Sequence, residues 1–81
     1  MPHVIVKVAA GKTEEQKTRL AEDITRDITE RLQLSKGAVS VMIDEVPAED
    51  WMETVYQTDI LPYWDRLYKK PGYGPQPQEN Y

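Results

Sequence analysis

Val4, Val6 and Val8 alternate with His3, Ile5 and Lys7 over residues 2–8. This period-2, β-branched pattern is that of a strand with one covered face. Ala9-Ala10-Gly11-Lys12 reads as a short turn. Thr13 with Gln16 three residues on reads as a capping box, the hydroxyl accepting from the first turn and the amide reaching back. Glu14 and Glu15 suit the positive end of a helix dipole. The period then becomes helical. Leu20, Ala21, Ile24, Ile28 and Leu32 define one apolar stripe and predict a helix from about Glu14 to Leu32. Lys17, Arg19, Glu22, Asp23, Arg26, Asp27 and Glu30 read as its solvated surface. After Ser35-Lys36-Gly37, Val39, Val41 and Ile43 alternate with Ser40, Met42 and Asp44, a second strand.

Strand, helix and strand in this order make a β-α-β unit with parallel strands and a right-handed crossover. The helix shields one sheet face and leaves His3, Ile5, Lys7, Ser40, Met42 and Asp44 on the other. Parallel sheets are normally covered on both faces. The second face is therefore expected to meet another subunit or the C-terminal helix. Pro47-Ala48-Glu49-Asp50 breaks the strand, and Trp51, Met52 and Val55 suggest a helical turn. Ile60, Leu61, Trp64, Leu67 and Tyr68 form a second amphipathic stripe with Pro62 inside it, so a helix starts near Pro62 or kinks there. Residues 71–81, rich in Pro, Gly and Gln, read as a flexible tail after a single domain over 2–70. The fold class is thus α+β, a β-α-β unit followed by a C-terminal helix.

Size and composition narrow the function. Eighty-one residues make one domain at most, with a core small enough to favour oligomerisation. There is no cysteine and one histidine, which disfavours disulfides, thiolate metal sites and histidine clusters. A net charge of −4 argues against nucleic acid as partner. An anionic substrate would need cations gathered locally. No apolar run reaches the ~18 residues of a membrane span, and no secretory signal pattern is present, so a cytoplasmic protein is expected.

Pro2 follows Met1 directly. Removal of Met1 would leave a free secondary amine, which no internal proline offers. An α-amino group titrates at roughly 7.7–8.0, and burial or a nearby cation lowers that value. Pro2 is therefore a candidate base near neutral pH; the competing reading is a proline that merely opens an edge strand.

Pro2, the alternating strand, and Gly11-Lys12-Thr13-Glu14-Glu15-Gln16-Lys17 together resemble the opening of the 4-oxalocrotonate tautomerase family. Val39-Ser40-Val41-Met42-Ile43-Asp44-Glu45 and Pro47-Ala48-Glu49-Asp50-Trp51 extend the resemblance, so that it covers residues 2–51. The Trp51 region and Lys69-Lys70-Pro71-Gly72-Tyr73 look most like its dimeric bacterial branch. The resemblance implies the tautomerase fold, a sheet completed by oligomerisation, and catalysis by Pro2 without metal or organic cofactor. It places Lys12 where the family often carries a carboxylate-binding arginine, and Ser40 where it carries a second one. Lysine keeps the charge but loses the bidentate fork, and serine offers a hydrogen bond without charge. Trp51 falls where the family has a hydrophobic, usually aromatic, wall. The expected activity is keto–enol tautomerisation of small 2-oxo acids, with monocarboxylates such as arylpyruvate enols favoured by the loss of the second arginine. The expected partners are that substrate and a second copy of the chain, a dimer rather than a hexamer. Two alternatives stay open: hydration or dehalogenation of an unsaturated acid, with Asp44 and Glu45 as candidate water activators, and a small-molecule binding module without catalysis.

Overall fold

The computed structural model describes residues 1–77; the last four residues of the predicted tail lie outside them. The chain divides into two compact units, one spanning Met1–Glu45 and the other beginning at Val46.

The first unit is built on the alternation read above. Strand β1, His3–Ala9, pairs with β2, Ser40–Val46, in a two-stranded parallel sheet. Just before β1, the Pro2 carbonyl accepts from the Ser40 amide at 3.2 Å. Helix α1, Glu14–Leu32, connects the strands. Its start is the capping box: Thr13 Oγ1 accepts from the Gln16 amide at 3.0 Å, and Gln16 Oε1 accepts from the Thr13 amide at 2.9 Å. Its end is a left-handed Gln33 (φ 57°, ψ 49°) whose amide donates to the Thr29 carbonyl. A single 3-10 turn, Lys36–Ala38, leads into β2.

Burial follows the period. Val4, Val6, Val8, Val41 and Ile43 are half-buried, whereas His3, Lys7, Ser40 and Asp44 are exposed. Ile5 and Met42 are apolar yet 51% and 47% exposed, so the second sheet face is open in the single chain. The predicted α1 stripe needs one correction. Ala21, Ile24 and Ile28 are half-buried together with Thr25 and Thr29, but Leu20 and Leu32 are exposed. An i+4 row drifts around a helix that turns ~100° per residue. Leu20 therefore falls on the flank, and Leu32 is the last residue of the helix.

The second unit is helical in short pieces of different pitch. Ala48–Asp50 is one 3-10 turn, Met52–Ile60 winds as a π-helix, and Leu61–Arg66 is 3-10 again. The predicted C-terminal helical region is present, with Pro62 in the first turn of the last piece. Its winding differs from the α-helix that the stripe implied. The Leu61 amide reaches back five residues to the Tyr56 carbonyl, and Pro62 has no amide with which to resume the ladder. Tyr63, at φ −114° and ψ 22°, leaves helical geometry altogether. Val46, Val55 and Tyr56 are the buried hydrophobic residues among those described, Tyr56 completely so, and all three belong to this unit.

Candidate active site

Pro2 is half-buried at the mouth of β1, while Met1 before it is fully exposed. With Met1 attached, the Pro2 nitrogen is an amide and no base. Beside it lies a polar pair that joins the two strands: His3 Nδ1 and Ser40 Oγ are 2.6 Å apart. Both side chains sit on the open sheet face. If Nδ1 carries the proton, it donates to the serine oxygen, and the serine O–H is left to donate outward. The Ser40 amide on the Pro2 carbonyl fixes the register of this pair with Pro2. Sequence reasoning put His3 near Pro2 but missed its bond to Ser40, which depends on the register of two strands far apart in sequence.

Lys12 is exposed in the turn between β1 and α1. The shape of this turn depends on Gly11, whose φ of 118° is one that L side chains rarely adopt. A carboxylate holds the glycine: Glu45 Oε2, at the end of β2, accepts from the Gly11 amide at 3.1 Å. The other Glu45 oxygen pairs with Lys17 Nζ, which also contacts Glu14 at 2.7 Å. Lys17, followed by the Gly11 amide, holds the Glu45 carboxyl below the usual carboxylate range. Glu14, then Glu45, raises the Lys17 ammonium above its ordinary value. A carboxylate so engaged and so acidic is poorly suited to serve as a base.

Trp51 lies in the second unit, half-buried at the head of the π-helix. Its indole Nε1–H donates to the Tyr73 hydroxyl at 2.8 Å. The structure thus brings Pro2 and Ser40 together in the first unit, with Lys12 on a turn of the same unit. A cavity of about 1200 Å³ in this unit is an open groove along α1 lined by Thr18, Ala21, Thr25, Thr29, Lys36 and Val41. It includes none of the four candidate residues. Its Arg26 is already paired with Asp23 at 2.8 Å, and the groove reads as an uncovered helix flank rather than a reaction site. Among the described residues, no group of His, Asp and Glu is placed to hold a metal ion, and no helix is long and apolar enough to cross a membrane.

The chain belongs to the tautomerase family: the model of that family, described as "Tautomerase enzyme", matches residues 2–55. It is 45% identical over 74 residues to a probable tautomerase of Xylella fastidiosa, covering 91% of this chain and 90% of that one. It is 43% identical to tautomerase PptA of Enterobacter, covering 90% and 97%. The fold is similar to that of a 4-oxalocrotonate tautomerase isozyme of Methylibium petroleiphilum, with a TM-score of 0.58 and 27% identity over 59% of this chain and 75% of that one. YwhB, a solved homologue of 4-oxalocrotonate tautomerase, is 37% identical with a TM-score of 0.55, over 57% and 75% of the two chains.

Proposed function

We propose that this isomerase interconverts keto and enol forms of small 2-oxo acids, of the enolpyruvate or arylpyruvate type, with Pro2 as general base once Met1 is removed. Membership of the tautomerase family supports the reaction class. The observation that carries the base is the setting of Pro2: half-buried, at a strand mouth, registered against Ser40 and next to His3. Met1 stands fully exposed, open to an aminopeptidase.

The chemistry follows from proton bookkeeping. The neutral Pro2 amine takes the proton from the enol hydroxyl and becomes a secondary ammonium. The enolate electrons re-form the C2 carbonyl as C3 takes that proton back from Pro2. One group performs both transfers if its pKa lies near the working pH. The negative charge on oxygen needs a donor, and the Ser40 hydroxyl, oriented by His3, is assigned that role. Lys12 pairs with the substrate carboxylate, and Trp51 offers a flat apolar face to an unsaturated or aryl group. A second copy of the chain covering the open sheet face, in a homodimer, accounts for exposed Ile5 and Met42. Hydration or dehalogenation is the weaker reading, because Glu45 is bound to Lys17 and the Gly11 amide rather than poised over water.

Pro2→Ala is expected to lower kcat/KM for an enolpyruvate by at least ~10²-fold, the low end for acid–base catalysis. Unchanged turnover would refute the assigned base. Intact mass of the protein purified from its own cells gives the complementary check: retained Met1 makes Pro2 an amide and leaves a binding module.

A further inference from the structure

The predicted tail is fastened at its described start, and it is fastened to Trp51. Tyr73 Oη accepts the indole Nε1–H at 2.8 Å. Two residues on, the Pro75 carbonyl accepts from Tyr56 Oη at 2.7 Å, with the Tyr73 carbonyl sharing that hydroxyl at 3.2 Å. Tyr56 is 0% exposed, so the anchor is the most deeply held side chain among the described residues. Between the two carbonyls sits Gly74, with φ 79°; a Cβ there would lie 2.7 Å from Cζ of the Tyr56 ring. The Tyr56 and Tyr73 rings are themselves in tilted contact, with centroids 5.5 Å apart. A buried hydroxyl, a glycine that admits the close approach and an aromatic contact all hold this segment, and its free product is one hydroxyl aimed at one indole.

We infer that Tyr73–Pro75 is a strap that fixes the Trp51 indole, so that Tyr73 is a positioning residue that sets the aromatic wall for substrates carrying an unsaturated or aryl group. The inference rests on the reading of Trp51 as that wall. An indole bonded through Nε1 cannot turn about its Cβ–Cγ bond without losing the bond, so its flat face stays fixed. The strap acts on binding of the aryl group and leaves proton transfer at Pro2 untouched.

The test uses full-length Tyr73→Phe, which keeps the ring and deletes only the hydroxyl, with Trp51→Ala beside it. The readouts are the Trp51 indole N–H resonance, assigned by its loss in Trp51→Phe, and steady-state kinetics with phenylenolpyruvate. The expected result is a shifted, faster-exchanging indole N–H and a KM raised about fivefold, with kcat within about twofold; fivefold corresponds to one net hydrogen bond. Tyr73→Phe with an unmoved indole resonance overturns the strap. A moved resonance with KM raised in Trp51→Ala but not in Tyr73→Phe overturns its role in binding. A moved resonance with KM unchanged in both variants overturns instead the wall reading on which the inference rests.

Discussion

The two units of this chain divide regularity and burial between them in an unexpected way. The first holds β1, all of β2 but its last residue, and a nineteen-residue α-helix, yet no residue of that helix is buried. The second changes pitch twice within twenty residues, yet it holds Val46, Val55 and Tyr56, the buried hydrophobic residues among those described. Local patterning and dense packing are therefore separable. Caps, turns and a strand ladder suffice to shape the first unit, while a few aromatic contacts shape the second. A two-stranded sheet with one bare face is marginal by itself in water, which is why the first unit is the one for which a covering partner is proposed. The same contrast recurs at two glycines. The Gly11 turn is held by charge, through Glu45, in open space; the Gly74 turn is held by the ring and hydroxyl of a buried tyrosine.

The largest effect is expected from truncating the packed anchor. Tyr56→Ala removes a fully buried ring together with its bonds to the strap, and should cost about 3–5 kcal/mol in chemical denaturation, the range for large aromatic truncations. Ile24→Ala on half-buried α1 should cost clearly less. Equal losses would mean that the burial contrast has no energetic counterpart. Next in size is the pair of glycine replacements. Alanine at either position meets the strain of a positive φ, of order 1–3 kcal/mol. Nothing lies within 4 Å of a Cβ at Gly11, whereas at Gly74 it meets the Tyr56 ring at 2.7–2.9 Å. Gly74→Ala should therefore exceed Gly11→Ala by roughly the 1–3 kcal/mol of core overpacking, measured as the difference in unfolding free energy. A Gly11→Ala cost as large would erase the distinction.

How far each unit could be read from sequence follows the same line. The alternation around Val6 and Val41, the Thr13–Gln16 box and the extent of α1 were legible because each depends on neighbours a few residues away. Pro62 was legible as a break because proline acts on its own backbone. The π-winding of Met52–Ile60 was not, since no hydrophobic period specifies it. The partners of Tyr56 and Tyr73 were not legible either, because those bonds join residues 17 to 22 positions apart across loops. Of the proposed site, Pro2, Lys12, Ser40 and Trp51 are candidates from residue chemistry and resemblance. The His3–Ser40 bond and the Glu45 hold on Gly11 needed strand register, 37 and 34 residues apart.

A smaller change sharpens the view that the first unit is set by local backbone. Gln33 ends α1 in left-handed geometry, which costs an L side chain roughly 1–2 kcal/mol. Gln33→Gly relieves that strain but loses the Nε2 bond to the Glu30 carbonyl and loosens the unfolded chain. The expected net is a stabilisation of about 0.5–1 kcal/mol, read as a higher Tm. A lower Tm would show that the side-chain bond outweighs the strain.

The smallest effect concerns the charge that holds Gly11. The Lys17–Glu45 pair is half-buried yet still reached by solvent and salt, so its contribution is small and the signature is its dependence on pH rather than its size. The folded-state pKa of Glu45 lies below its ordinary 4.5, with Lys17 as the leading cause. Its contribution is therefore complete above 4.5 and is lost as pH falls through the depressed value. Lys17 is raised above its ordinary 10.5, so its contribution is complete below 10.5 and is lost as pH rises through the raised value. Across neutral pH the cluster is intact. Glu45→Gln keeps an oxygen for the Gly11 amide but removes the charge, so Tm should fall less steeply from pH 5 to pH 3 than in the parent, and this difference should shrink in high salt. Glu45→Ala removes the acceptor as well. If that acceptor is what shapes the Lys12 turn, Glu45→Ala raises KM for a 2-oxo acid by about fivefold, one net hydrogen bond, while Glu45→Gln leaves KM near the parent value. Equal KM in the two variants would mean that the turn is held by Gly11 and the capping box alone.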